Sequence, residues 1–477
     1  MREPKENLNE LFVGPRHYTR DLTFPDPREI KIYDTTLRDG EQMPGVAMSP
    51  EDKYLIAREL SQIGCHIIDV GFPWSSPNEE VALELILQGK AKGDIREDLE
   101  ILVMSRATEE DVDATVRSLK MRGLSPCDVT VLIFTSASPL HCKYKLGPSL
   151  MKREGVDDSK EVPLAFFHEA NKRMISDAIR YARSRGISRI EFGAEDASRT
   201  ALPQLIDLIQ TAVSAGCIRY TFADTTGSLT PEATEMYCRA LAQRFPDIAR
   251  ASHFHNDFDL GVINVITGIC NGFPIFSSTV NGIGERAGNA ALHSVVASLK
   301  YLYGIELPDF RYERLWHLKS IVEKITGIPV QAQEPVIGCN VYSHESGIHT
   351  HGVSIARCMY EPIPFEEVGG ISRMVYGKHS GTHGVVHALR KHEAEMGTVI
   401  DREFVLQLLK EIKAVRETRT QNRTTALHIE QYYENLYSLG LSEKEVIELA
   451  QDLAARQRLQ RVGNLETLIE HNYSSPE

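Results

Sequence analysis

Residues 30–45, IKIYDTTLRDGEQMPG, decide how the rest of the chain is read. IKIYD is a short, alternating, β-branched run that ends abruptly in polar residues, the pattern of a strand delivering side chains to a loop. The loop carries Asp34, Arg38, Asp39, Glu41 and Gln42, after which Pro44 and Gly45 turn the chain. A carboxylate beside an arginine at the C-terminal end of a strand suits a metal site with a fixed positive donor. The same residues also describe an ordinary charged surface loop, so later stretches must decide.

Working outward, strand-like runs recur at 66–71 (HIIDVG), 100–105 (EILVMS), 128–134 (DVTVLIF), 188–193 (SRIEFG), 218–223 (IRYTFA), 249–255 (ARASHFH) and 275–280 (IFSSTV). Helical patterns lie between them, for example EDKYLIARELSQIG and PEATEMYCRALAQRF. Eight βα units in about 270 residues fit a (β/α)8 TIM barrel. A doubly wound open sheet is the alternative, but it wants a Gly-rich phosphate turn after its first strand, and TTLRDGEQ is not one. The organisation expected is an arm over 1–28, a barrel over 29–305, a linker and small subdomain over 306–400, and a helical tail over 401–477. The stretch 147–165 is either a lid or an insertion.

The balance of 53 basic against 66 acidic residues gives a net charge of −13, which argues against nucleic-acid binding. An anionic substrate therefore needs local cations or a metal. No apolar run is long enough to cross a membrane, and MREPKENLNELF has no signal-peptide apolar region. Eight scattered cysteines without a CxxC pair read as reduced thiols of a cytoplasmic protein.

The second decisive stretch is HFHNDFDLG, 253–261, closing the seventh strand. Residues i and i+2 share a strand face, so His253 and His255 point the same way, towards the barrel mouth. The third is NGIGERAGNAAL, 281–292, whose glycines make a turn or cradle a phosphate. Asn289 could lend an amide oxygen to the same centre. Asp39, His253, His255 and Asn289 form an O2N2 set suited to Mg2+, Mn2+, Co2+ or Zn2+. EFGAEDASRT places Glu195 and Asp196 where a general base can sit, with Arg199 in reach of either, and ADTTG offers the Thr225 hydroxyl to a substrate carboxylate. The His-rich stretches 344–352 and 375–384 lie outside the barrel, and are structural unless they reach another subunit's site.

Taken in order, TTLRDGEQMPG, GFPWSSP, TSASPLHCKYKL, AEDASRT, DTTG, HFHND, NGIGERAGN, HESGIHTHG and GKHSG resemble the isopropylmalate synthase and homocitrate synthase family of the DRE-TIM metallolyases. The resemblance implies a homodimeric acyltransferase that condenses acetyl-CoA with a 2-oxo acid on a divalent metal. It implies Asp39, His253, His255 and Asn289 as metal ligands, and Arg38 as the stabiliser of the attacked ketone's oxygen. Glu195 is then an active-site acid, Thr225 a carboxylate binder, and His349 with Tyr360 a pair contributed across the dimer. Gln42, Asp69 and Arg106 are read as further substrate-side residues.

Two departures stand out. Asp69 occupies a position where the family usually has Glu, so the carboxylate supporting Arg38 is one methylene shorter, and the tail is too short for the usual leucine-binding regulatory domain. The expected substrate is an aliphatic 2-oxo acid of the 2-oxoisovalerate kind. Homocitrate, citramalate and phosphono- or phosphinomethylmalate chemistry are the alternatives, because Arg106 and nearby hydroxyls could hold a second anion. A hydroxymethylglutaryl-CoA-type lyase is a further alternative, disfavoured by NGIGERAGN and by the HESGIH segment.

Overall fold

The computed structural model describes residues 22–157, 159–390, 400–418 and 423–438, with a few more between 441 and 456. Most of the expected arm and the end of the tail lie outside the described residues. Eight parallel strands close a barrel in chain order: β1 (Lys31–Asp34), β2 (Ile67–Asp69), β3 (Glu100–Arg106), β4 (Thr130–Ser136), β5 (Ile190–Glu195), β6 (Arg219–Asp224), β7 (Ala249–Phe254) and β8 (Ile275–Ser278). Every run read as a strand is one. Closure comes from β1 pairing with β8, Lys31 opposite Ile275 and Asp34 opposite Ser278.

The surrounding helices are α1 (Pro50–Ile63), α2 (Pro77–Lys92), α3 (Glu109–Met121), α4 (Pro139–Tyr144), α5 (Gly147–Arg153), α6 (Leu164–Ser184), α7 (Leu202–Ala215), α8 (Pro231–Arg244), α9 (Gly261–Cys270) and α10 (Leu292–Ala297). Their boundaries follow local chemistry. At α1, Ser49 caps the helix in a capping box with Asp52, Pro50 opens the first turn, and Gly64 ends it at φ 111°. A side chain at Gly64 would also collide with the Asp309 carbonyl at 2.6 Å. The stretch 147–165 contains α5, whose Leu150 and Met151 are buried.

Beyond the barrel come α11 (Leu315–Thr326), β9 (Ser343–His344), α12 (Gly347–Ile355), β10 (Arg373–Met374), α13 (Thr382–Arg390) and α14 (Arg402–Thr418). β9 and β10 form a parallel two-stranded ladder too short to leave a sequence signal. Val385 and Leu389 of α13 pack with Val405 of α14. Helix α15 (Arg423–Ser438) belongs to a second compact unit. No helix among the described residues is long and apolar enough to cross a membrane.

Inside the barrel, Tyr33, Ile67, Leu102, Met104, Leu132, Ala251 and Ile275 form one apolar cluster, with Phe72 and Phe134 packed on it. Arg219 is a buried exception. Its guanidinium bridges Glu191 at 2.5 Å and Glu100 at 2.7 Å, and the Thr221 hydroxyl completes the Glu191 shell.

Asp34, at the end of β1, is fully buried. One carboxyl oxygen accepts the Thr36 N–H at 2.8 Å, and the other has no partner. Burial, helped by nearby Asp69, pushes this carboxyl up to about 7 against the Thr36 bond. The unfolded chain then loses its proton near pH 4 while the folded chain holds it, so stability falls as pH rises from 4 to 7. The full effect is about 4 kcal/mol. In Asp34→Asn, a guanidinium titration series from pH 4 to 8 should lack most of that decline. Equal slopes in both proteins would refute the assignment.

Candidate active site

The loop after β1 is wound tightly by its own backbone. The N–H groups of Arg38 and Asp39 both donate to the Thr35 carbonyl, and Thr35 N–H is tied to Ser278 across the barrel seam. This points Arg38 and Asp39 into the barrel mouth. Arg38 Nε donates to Asp69 Oδ2 at 2.8 Å, and its Nη1 stands 3.6 Å from Asp39. Asp69 is fully buried and also accepts the Gly71 N–H at 3.0 Å, so the shorter carboxylate still reaches the arginine. Behind the loop, buried Lys53 bridges Glu41 and Glu79, each at 2.5 Å.

Asp39 Oδ2 lies 3.1 Å from His253 Nε2 and 3.6 Å from His255 Nε2, and the two Nε2 atoms are 3.2 Å apart. Asn289 joins them through a bridge to His255, its amide 2.8 Å from Asp39 and 3.5 Å from His253. Three donors, Asp39, His253 and His255, converge closely enough to suit a cation at their centre. Asn289 Oδ1 is buried without a partner, and a half-turn of the amide would aim it at that centre. Ser277 Oγ, 2.7 Å from His253 Nδ1, fixes that ring from behind. A Cβ at Gly284 would fall 1.9 Å from Asn289 Oδ1, so this glycine serves close packing. Burial opposes charge on Asp39, yet Arg38 and the histidines hold its carboxyl well below the usual range. Burial, with His253 alongside, pushes His255 down to about 4, leaving a neutral imidazole with a lone pair to give. The residues fit a divalent cation.

Arg38, Asp39, His253 and His255 line a cavity of about 310 Å3 at the mouth of the barrel. Gln42, Glu195 and Thr225 line it as well. The Glu195 carboxylate is held by Lys145 Nζ, at 2.6 and 2.7 Å, and by the Ser136 hydroxyl. Arg199 pairs instead with Asp196, at 2.7 Å. Asp196 sits at φ 59° and donates its N–H to Thr225 Oγ1 at 2.8 Å.

Other expected site residues lie elsewhere. Asp69 is not in the cavity lining and acts on Arg38. Arg106 does not line the cavity either: it forks onto Asp111 at 2.5 and 2.9 Å and lies over Trp74 at 5.5 Å. The hydroxyls expected to favour a second anion are spent locally, Ser105 on a carbonyl, Thr135 on Asn171 and Ser138 on Asp196. In their place Phe72, Met104, Leu132 and Phe134 line the wall beside β2–β5, an apolar cup that sequence reading missed. Lys145 was missed too, although HCKYKL carries it. His349 and Tyr360 stack with ring centroids 4.1 Å apart, outside this cavity. Among the described residues, a second cluster of possible ligands, His168, Glu169 and Asp207, already holds Lys172, 2.8 Å from Asp207.

A closed (β/α)8 barrel with a carboxylate–bis-imidazole centre and an arginine at its mouth defines a metal-site barrel enzyme. Residues 29–322 match the HMGL-like family, and residues 336–420 match the homocitrate synthase post-HMGL domain-like family. A 2-isopropylmalate synthase of Methanocaldococcus jannaschii is 36% identical over 90% of this chain and 76% of its own length. A probable 2-isopropylmalate synthase of Ignicoccus hospitalis is 40% identical over 81% of this chain and 88% of its own. The homocitrate synthase AksA of M. jannaschii is 37% identical over 82% and 87%. The chain belongs to the HMGL-like family and, within it, to the 2-isopropylmalate and homocitrate synthases, and it is an enzyme.

Proposed function

We propose that the chain joins the acetyl group of acetyl-CoA to the ketone carbon of an aliphatic 2-oxo acid, as a 2-isopropylmalate synthase does. The observation that supports the substrate class is the apolar cup of Phe72, Met104, Leu132 and Phe134, from which Arg106 is withdrawn onto Asp111. Asp39, His253, His255 and Asn289 would hold a divalent cation (Mn2+, Mg2+, Co2+ or Zn2+), which when bound would supply Lewis-acid polarisation of the ketone. Arg38, locked by Asp69, is aimed to stabilise the oxygen that gains charge. Thr225 Oγ1 accepts from Asp196, so its own proton remains available to a substrate carboxylate. Glu195, steadied by Lys145 and Ser136, takes the proton of the acetyl methyl, directly or through water with His349. Hydrolysis of the thioester then frees CoA and makes the reaction irreversible.

The test is thiol release across a panel of 2-oxo acids. A branched aliphatic acid should exceed 2-oxoglutarate in kcat/KM by about 100-fold, since a second carboxylate in the cup lacks a partner. Arg106→Ala should leave the aliphatic KM within about twofold. Preference for a diacid, lost in Arg106→Ala, would overturn this reading.

His349 and Tyr360 are both exposed, and neither lines the cavity of its own chain. This supports a homodimer in which each copy lends the pair to the other. Equal mixing of the nearly inactive His349→Ala and Arg38→Lys proteins, with subunit exchange, should give heterodimers with one intact site and about a quarter of the wild-type rate. Absence of recovery despite verified exchange would mean that His349 works in its own chain or is structural.

A further inference from the structure

Arg286 holds together the three loops that carry Thr225, His255 and Asn289. Its Nε and Nη2 fork onto Asp257, two residues after His255, at 2.8 and 2.9 Å. The same Nη2 donates to the Thr225 carbonyl at 2.6 Å. Its own backbone lies three residues before Asn289 in the loop after β8, at φ 55°, a left-handed conformation costly for a side chain of this size. The loops it joins are packed bare against one another: a Cβ at Gly227 would stand 2.8 Å from Asp257 N. Asn256 N–H donates to the Gly288 carbonyl at 2.9 Å, closing the same seam from the other side. Arg286 also lines the cavity shared by Arg38, His253 and Glu195.

We propose that Arg286 is a positioning residue that couples the metal centre to the carboxylate-binding hydroxyl. Resting on the function proposed above, it fixes Thr225 through its carbonyl, His255 through Asp257, and Asn289 through the strained turn it occupies. The planar fork is required. A lysine ammonium supplies the charge but cannot span the two Asp257 oxygens and the Thr225 carbonyl in one plane. A residue holding only the fold would change the melting temperature and leave ligand affinities in the folded protein alone.

The test is titration of metal-stripped full-length protein with Mn2+ alone, followed by 2-oxoisovalerate binding to the Mn2+-loaded protein without acetyl-CoA. Arg286→Ala and Arg286→Lys should each weaken Mn2+ about 10–100-fold, the usual cost of losing support behind a metal ligand. The dissociation constant for 2-oxoisovalerate should rise in parallel. Millimolar guanidinium should restore a measurable part of both affinities to Arg286→Ala, and none to Arg286→Lys, whose ammonium fills the space. Should Arg286→Ala fail to fold, Asp257→Asn replaces it, and a loss of Mn2+ affinity of the same sign is required. Wild-type affinities in a folded Arg286 or Asp257 variant would overturn the coupling while leaving the functional reading intact. Failure of the wild type itself to bind Mn2+ would overturn both.

Discussion

Arg38→Lys should leave a folded protein that binds Mn2+ and has lost about 100- to 1,000-fold in kcat, with a much smaller change in the KM for the 2-oxo acid. The reason lies in how the guanidinium is spent. Its Nε is committed to the buried Asp69 and its Nη1 is turned towards Asp39, which leaves Nη2 for the cavity that Arg38 lines. An ammonium can satisfy Asp69 or face the reacting oxygen, but not both with fixed geometry. Loss of one preorganised donor to a developing oxyanion costs about 2.7–4 kcal/mol of transition-state stabilisation. Because that interaction strengthens only as charge develops, the loss belongs to kcat. Arg38→Ala is a poorer probe. It strands the Asp69 carboxylate in the interior, at a cost of about 3–5 kcal/mol in stability that would blur the kinetics. An Arg38→Lys enzyme within threefold of the wild-type kcat would show that charge near the site is enough and that the fork has no part in the chemistry.

The barrel and the histidine pair of the candidate metal centre were legible in the sequence for a common reason: both depend on short-range periodicity. Eight strand-like runs at regular spacing leave few topologies, and His253 with His255 share a face by parity alone. The apolar cup was not legible. EILVMS and TVLIF are apolar on both faces because a parallel barrel buries both, so parity cannot say that Met104, Leu132 and Phe134 line the cavity while Thr135 meets Asn171 outside it. Arg106 could be read either as an anion contact or as one half of an ion pair with Asp69 or Glu109; its actual partner, Asp111, sits in the first turn of α3, where it reads as a helix-terminal acid. Lys145 and Arg286 act across loops from different strands, a relation that no local pattern carries.

Removal of the metal should have the largest effect of all. Protein treated with a chelator and confirmed metal-free by elemental analysis should lose at least about 1,000-fold in rate, and added Mn2+ should restore it. The groups that would hold the cation converge on one point. Two Nε2 atoms stand 3.2 Å apart, the Asp39 carboxylate faces both, and Asn289 Oδ1 is buried without a partner. Binding should therefore stabilise the folded state as well as activate it, by RT ln(1 + [Mn2+]/Kd), about 2.7 kcal/mol at 100 times Kd. His253→Ala removes one donor and leaves Ser277 without its ring partner, so both the Mn2+-dependent rise in melting temperature and the activity should disappear. Ser277→Ala leaves all four donors in place and only frees the ring, so Mn2+ should still bind, about 10–100-fold more weakly. The two variants separate the centre from its support. If metal-free protein turned over at the wild-type rate, or if His253→Ala kept its Mn2+-dependent stabilisation, Asp39, His253 and His255 would be a buried polar cluster holding the loops together, and the polarisation of the ketone would rest on Arg38 alone.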